Sequence, residues 1–565
     1  MPVEKILNAP GDVIEDYIAG LVRGTGHLAR VEGWPVVVRE PATRKSPDRV
    51  ALVTGGGSGH EPAHAGYVGE GMLDAAVLGP VFTSPSVDAV HAAIRAVATD
   101  AGVLLIVKNY TGDRLNFGLA AEMARVEGIA IEIVVVADDA ALGDRSRAGR
   151  RGLTATVLVH KLAGAAAEAG ASLAEIAELC RRFLLGAATM GVALGACVVP
   201  GAAEPSFALA PGEVEWGLGI HGEAGSERGA LVTSREIADR LVDAVVRDRG
   251  LGEGDRVVAL VNSLGATPDL ELRILHGDVL AALERRRLDV RLTWAAPFLT
   301  SLEMPGASLT LARLDDETAA LLASPARTLA FPAWSAELRA ARTSVVPAPH
   351  RFEVGAGEGP RSDDVARLHA RAAALAAALE AAEPELTALD RTVGDGDLGI
   401  NLARGAAALR AAGDLLGSLP DASAYLAGLS QIVRHEVGGT SGPLYSILLL
   451  AMSESLAGSG ASPAARRWAD AFAAGVERIR TIGGAAPGDS TMVDALQPAV
   501  DALAADPADL AAAAAAADAG ARATAALRPS LGRSSYVGER AVGVPDPGAT
   551  AVALQLEVLR RELGC

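Results

Sequence analysis

A chain of 565 residues is too long for one hydrophobic core and is expected to divide into two or more domains. Its formal charge of −18 argues against nucleic acid and anionic membrane surfaces as partners, and its 3% aromatic content favours packed helices and α/β layers over an aromatic binding platform. Cys180, Cys197 and Cys565 form no CxxC pair, which suggests a reducing, cytoplasmic setting, and the opening MPVEKILNAPGDVIEDYIAG has no apolar run of a secretory signal.

Residues 1–335 alternate two textures. RVALVTGGG, DAAVLG, GVLLIVKNY and IAIEIVVVAD are short runs rich in Val, Ile and Leu, while VDAVHAAIRAVATDA and LNFGLAAEMARVEG between them have helical spacing. The alternation predicts an α/β half with a mostly parallel, doubly wound sheet, arranged as two subdomains. FLLGAATMGVALGACVVPGAA, residues 183–203, has no charge over 21 positions and is long enough to span a bilayer. Its Gly and Ala content and Pro200 instead predict a buried helix running into a strand, with no membrane span. RVVALVNSLG (256–265) and VRLTWAAPF (290–298) predict further strands. TSVVPAPHRFEVGAGEGPRSDD (343–364) is Pro- and Gly-rich without a period, and a linker is placed over 336–364. From 365 to 565, long Ala/Leu runs predict an all-α domain; even AADPADLAAAAAAADAGARATAAL is a strong helix former.

Three stretches of the α/β half carry chemistry. TGGGSGHEPAHAGY (54–67) matches neither GxxxxGK[ST] nor GxGxxG, which sets a nucleotide phosphate loop aside. HEPAH fits the HExxH zinc pattern, but that pattern needs both histidines on one helical face, and Pro62 lies between them. A glycine-rich turn offering backbone N–H groups to a small polar ligand, with His60 beside it, is more economical. VKNYTGDRLNF (107–117) also follows a strand. Ligands bind outside the carboxyl ends of strands in open α/β sheets, so Lys108 and Asp113 are expected on the same rim as His60. WGLGIHGEAG (216–225) isolates His221 between glycines, which open the ring to a ligand; a neutral imidazole there can act as base or nucleophile.

LDRTVGDGDLGIN (389–401) gathers Asp390, Asp395 and Asp397. Held about 5 Å apart at an effective dielectric of about 20, each pair repels by roughly 3 kcal/mol. The cluster therefore needs a cation, or must be splayed into water as an acidic turn. An EF-hand fits badly: with Asp395 and Asp397 as the first two ligands, the third falls on Gly399 and the required glycine on Ile400. A hard-cation site of monodentate carboxylates remains, suited to Mg²⁺ shared with substrate phosphates. Asp390 ends a predicted helix, and Gly394 and Gly396 let the chain fold back.

GGGSGHEPAHAGYVGEGML, VFTSPS, VKNYTGDRLNF and GLGIHGE in the first half, with VGDGDLGIN, GGTSGPLYS, PGDSTMVDAL and GRSSYVGERAVGVPDPGA in the second, occur in one order along the chain. In these motifs the sequence resembles the single-chain, ATP-dependent dihydroxyacetone kinases, over nearly its whole length apart from the linker. The resemblance implies that His221 attacks the ketone carbon and holds the substrate as a covalent hemiaminal. It implies a pocket of Gly57, Ser58, Gly59, His60, Lys108 and Asp113, with Asp113 and His60 managing the proton of the attacking hydroxyl. Asp390, Asp395 and Asp397 would hold two Mg²⁺ ions bridging the ATP phosphates. Leu398, Gly399, Ile400 and Asn401, with Thr440, Ser441, Gly483, Met492, Arg533 and the Asp546-Pro547-Gly548 turn, would surround the nucleotide. The second half would be a barrel of amphipathic helices, and the molecule a homodimer in which one chain's nucleotide half serves the other's ketose half. The same machinery would suit a four-carbon ketose such as erythrulose, or a lyase cyclising FAD. A non-catalytic ketose sensor is the alternative from another class, and the three aspartates and Arg533 argue against it.

Overall fold

The structure, a computed structural model, describes residues 5–142, 149–205, 207–223, 225–332, 363–458, 464–531, 533–536 and 538–564. Its residues separate into two compact units, Met1–Val345 and Val346–Cys565. Positions 336–362 of the expected linker lie outside the described residues, and its last two, Asp363 and Asp364, already open a helix.

In the first unit, β1 (Leu28–Arg30), β2 (Val36–Arg39), β3 (Ala51–Ser58), β4 (Ala75–Val81), β5 (Val103–Lys108) and β6 (Ile131–Val136) form one sheet in the order β1-β2-β4-β3-β5-β6. Strands β4, β3, β5 and β6 run parallel; β1 and β2 add antiparallel at one edge. The pleat explains why β5 is apolar up to its last residue. Val103, Leu105 and Val107 enter the core under helices Val87–Val97 and Thr111–Val126, while Leu104 and Ile106 enter a second core on the opposite face. Lys108 continues the alternation on the side of Leu104 and Ile106.

A second sheet has the order β11-β10-β12-β7-β8-β9, from β7 (Ala187–Ala193), β8 (Glu213–Trp216), β9 (Glu227–Ala230), β10 (Arg256–Ser263), β11 (Asp289–Ala296) and β12 (Gly306–Arg313). Here only β10 and β11 pair in parallel; the other four pairings are antiparallel. The expected mostly parallel pattern thus holds for the first sheet and gives way to a mixed second one. The reason is connection length: residues 297–305 between β11 and β12 are too few for a crossover helix, so β12 returns antiparallel. Val258, Leu260 and Leu292 of this sheet share the core of Leu104 and Ile106. Helix Ala155–Ala169, buried from Ala155 to Ala167, lies in that common core. In the uncharged 183–203 stretch the last three residues of helix Leu173–Leu185 run into β7, as expected, but burial is complete only along the strand: Leu185 and residues 201–203 are exposed, and 194–203 belong to neither element. No helix among the described residues is long and apolar enough to cross a membrane.

The described residues of the second unit contain helices and no strand. Asp363–Ala381, Leu398–Ala411, Ala422–Glu436, Ser441–Gly458, Ala464–Gly483, Val493–Ala505, Leu510–Ala523 and Pro547–Glu562 each pack on the next, and the last packs on the first, closing a barrel. Leu, Ala and a few aromatic side chains line its lumen, an apolar cavity of about 570 Å³. The alanine-rich segment forms Leu510–Ala523, with Asp509 accepting from Ala512 N at its N-cap. One expectation changes: the helix thought to run into Asp390 is interrupted at Ala382. Pro384 lacks a backbone N–H and starts a new helix, Glu383–Val393, whose last turn carries Asp390.

Candidate functional site

In the first unit the loops after β3, β4 and β5 and the connection between β8 and β9 place side chains against one another. Gly57 and Ser58 belong to β3 itself, which corrects the expectation of a glycine-rich turn. Their neighbourhood explains the glycines: a Cβ on Gly57 would stand 2.5 Å from Thr83 N, and one on Gly56 2.4 Å from Lys108 Nζ. Ser58 Oγ donates to the Gly79 carbonyl at 2.8 Å, and Gly59 N–H donates to the Glu61 carboxylate. The Ser58 hydroxyl and the Gly59 N–H thus have acceptors within the chain.

His60 begins the reactive surface. Its Nδ1 lies 2.8 Å from the Thr300 carbonyl, which can only accept, so the ring carries its proton there and Nε2 keeps a lone pair. That Nε2 is buried and has no hydrogen-bond partner among the described residues. Burial holds His60 well below the usual histidine range, and the nearby His221 and Lys108 push the same way. Phe82 stacks on His60 at 5.2 Å, and the His221 ring stands edge-on 4.9 Å from it. Tyr110 packs edge-on against His221 at 4.7 Å.

His221 is clamped by a residue that the site expectations omitted. Glu223 accepts from its ring Nδ1 at 2.8 Å and from its backbone N–H at 3.0 Å, which leaves Nε2 as the lone-pair nitrogen. Although burial works against ionisation, these contacts with His221 hold the Glu223 carboxyl down at about 2. A Cβ on Gly219 would overlap a Glu223 oxygen, which accounts for one glycine of GLGIHGE. Lys108 and Asp113 are both buried, and Asp113, in the first turn of helix Thr111–Val126, accepts from Ser84 Oγ. His60, Lys108 and Asp113 are thus brought to one rim, as expected from the strand ends, and His221, from the connection between β8 and β9, stands against His60. Glu223 and Ser84 were visible inside GLGIHGE and VFTSPS. Thr300 acts through its carbonyl and leaves no mark on a motif.

In the second unit, one carboxylate oxygen from each of Asp390, Asp395 and Asp397 lies within 4.8 Å of the others. Asp390 Oδ2 accepts from Asp397 N and Leu398 N at 2.9 and 3.1 Å, which ties the end of one helix to the start of the next. Gly394 leaves room for the other oxygen: a Cβ there would stand 2.5 Å from Asp390 Oδ1. The set fits a hard cation taking single oxygens from each carboxylate.

Leu398, Gly399, Ile400 and Asn401 form the first turn of Leu398–Ala411; Thr440 and Ser441, Met492, and Asp546 to Gly548 open three other barrel helices. In an up-and-down ring these alternate helices share a direction, so four N-termini and their partial positive charge gather at one end. A Cβ on Gly439, just before Thr440, would stand 3.8 Å from the Asp397 oxygens, and one on Gly548 3.6 Å from Met492 Cβ. Asp546 is pushed up to about 7 by burial, against the Ala549 N–H, with the charges of Asp494 and Asp390 adding to the rise. Asp494, also omitted from the expectations, accepts from Gly488 N and Thr491 N and braces the PGDST loop. Gly399 is explained by packing, since its Cβ would meet Thr387 Oγ1 at 2.4 Å. Gly483 ends its helix beside Leu444. The Arg533 side chain lies outside the described residues.

Fold and sites together define a two-module chain that joins an α/β small-ligand pocket to an acid-tipped helical barrel. The Dak1 domain model matches residues 19–330 and the DAK2 domain model residues 392–561. The triokinase/FMN cyclase of Homo sapiens is 41% identical over 99% of both chains. The D-erythrulose kinase of Mycolicibacterium smegmatis is 39% identical over 97% of each. A crystal structure of the C. freundii dihydroxyacetone kinase with AMP-PNP and Mg²⁺ superposes with a TM-score of 0.66 at 35% identity, over 99% of both chains. The chain belongs to the single-chain dihydroxyacetone kinase family.

Proposed function

We propose that the chain transfers the γ-phosphoryl group of ATP to a hydroxyl of a short-chain ketose, dihydroxyacetone foremost. One observation carries the reading: two imidazoles, 4.9 Å apart, whose Nδ1 atoms are committed to Thr300 and Glu223, so that Nε2 is the nitrogen each ring has left for chemistry. One suits a nucleophile and the other a base. His221 Nε2 bonds to the ketone carbon; the carbonyl π pair moves to oxygen, which takes a proton from water and leaves hydroxide to the solvent. The ring is left positively charged, and the Glu223 carboxylate balances it. His60 Nε2 accepts the proton of the hydroxyl that attacks phosphorus, with Asp113 and Lys108 orienting that hydroxyl. A covalent hold suits a substrate too small to be gripped by contacts alone, and glycerol has no carbonyl to be held.

Asp390, Asp395 and Asp397 would hold the Mg²⁺, two ions by the resemblance, which when bound neutralises charge on the transferring phosphate. Leu398 to Asn401, Thr440, Ser441, Gly483, Met492, Arg533 and Asp546 to Gly548 would surround the nucleotide. This reading is supported by the gathered helix N-termini and by the AMP-PNP and Mg²⁺ of the C. freundii structure. A homodimer, a cytoplasmic location and domain limits of 1–335 and 365–565 complete the proposal. A four-carbon substrate is the second reading, favoured by the D-erythrulose kinase relative. The test is an ADP-release assay across dihydroxyacetone, glyceraldehyde, both erythrulose enantiomers and glycerol, with FAD as a separate arm for cyclase activity. ADP release with dihydroxyacetone ahead of erythrulose is the expected result; no release with any ketose would overturn the kinase and favour a sensor.

A further inference from the structure

HEPAH contains a second histidine that the chemistry above leaves unused. His64 does not share a metal-binding face with His60; its two ring nitrogens are both engaged elsewhere. Lys108 Nζ lies 2.6 Å from His64 Nε2, and His64 Nδ1 lies 3.0 Å from His160 Nε2. Lys108, His64 and His160 are all buried, on the side of the first sheet that faces the core holding helix Ala155–Ala169. An ammonium has only hydrogens to offer, so His64 must present a bare Nε2 and carry its proton on Nδ1, where it donates to His160. Burial, followed by the charge of Lys108, holds both imidazoles well below the usual range, which keeps them neutral and the donors running one way. His160 stands on a helix buried on every side, and its ring meets that of His64 at 74°. A Cβ on Gly56 would stand 2.4 Å from Lys108 Nζ, so only glycine there leaves the ammonium its place. Burial pushes Lys108 below the usual lysine range, and the charge of Asp113 works against that fall.

We infer that His64, backed by His160, is a positioning residue: it anchors the Lys108 ammonium so that its remaining hydrogens face the ketose and Asp113 is left to the substrate. Without that anchor a buried ammonium lacks an acceptor and is drawn onto Asp113, which removes both groups from the pocket. The inference rests on the reading of Lys108 as a ketose contact.

The experiment is a double-mutant cycle in the full chain, with His64→Leu, Lys108→Met and the pair, reading KM for dihydroxyacetone and for ATP separately. His64→Leu is expected to raise the ketose KM by about 10-fold or more, with the ATP KM held within about twofold. His64→Gln can accept from Lys108 and donate to His160, and is expected to stay within about threefold of the parent. In the Lys108→Met background, adding His64→Leu should change the ketose KM by less than about twofold. An unchanged ketose KM in His64→Leu, or the same penalty with and without Lys108, overturns the inference. If His64→Leu fails to fold, His64→Asn, polar but too short to reach Lys108, runs the same cycle with the same outcomes. A silent Lys108→Met would instead sink the ketose role of Lys108, so the two failures are told apart.

Discussion

His221 and Glu223 act as one unit, because the carboxylate both fixes the tautomer and balances the charge that appears when Nε2 bonds to carbon. His221→Ala is therefore expected to abolish the covalent adduct and most discrimination against glycerol, and to lower kcat/KM for dihydroxyacetone by about 10²-fold. A carbon-13 spectrum with carbonyl-labelled substrate checks it: an sp² carbonyl signal from the bound ketose in the parent would refute the hemiaminal. Glu223→Gln keeps a hydrogen bond and loses the charge, so ketose capture should weaken by about 1 kcal/mol, or roughly fivefold, measured by titration calorimetry. Protonating Nε2 removes the attacking lone pair, so capture should weaken as pH falls. Glu223, held down at about 2, stays ionised above that pH and does not contribute to the loss. Capture that strengthened on acidification would contradict a neutral nucleophile.

At the scale of elements, the acidic turn between helices Glu383–Val393 and Leu398–Ala411 concentrates charge where a helix N-terminus and a cation can offset it. Asp395→Ala should lower phosphoryl transfer by about 10²- to 10³-fold at saturating Mg²⁺. Dihydroxyacetone binding, read by calorimetry without nucleotide, should be unchanged, since that pocket lies in the other unit. Near-parental turnover would remove Asp395 from the machinery. Gly394→Ala tests the same turn from the side of packing. Its backbone is accessible to alanine, but the new Cβ would press on Asp390 Oδ1, so the Mg²⁺ concentration for half-maximal activity should rise.

For the whole molecule, each unit buries its own core: both sheets share theirs with helix Ala155–Ala169, and the barrel closes on itself. Cleavage within 350–360 is expected to yield two pieces that fold separately. Neither should phosphorylate a ketose alone, and mixing them should restore part of the activity, limited by their affinity. Size-exclusion chromatography and circular dichroism of the fragments check the folding, and insolubility of both would count against the boundary. Light scattering of the intact chain tests the homodimer.

Much of this was legible along the chain, because period-two and helical apolar spacing act locally and strand-end motifs carry their chemistry in consecutive residues. The α/β half, the helical half, the strand within 183–203 and the shared rim of His60, Lys108 and Asp113 belong to that category. What the chain alone could not decide are contacts between residues far apart in number. The Thr300 carbonyl that sets the His60 tautomer, the His160 ring behind His64 and the largely antiparallel second sheet all depend on which segments meet. So does the reason for Gly56, which is space for a lysine ammonium rather than a turn. Local spacing determines which elements form and which residues sit at their ends; only the tertiary structure decides which nitrogen carries a proton, because that depends on whichever acceptor folding brings within about 3 Å.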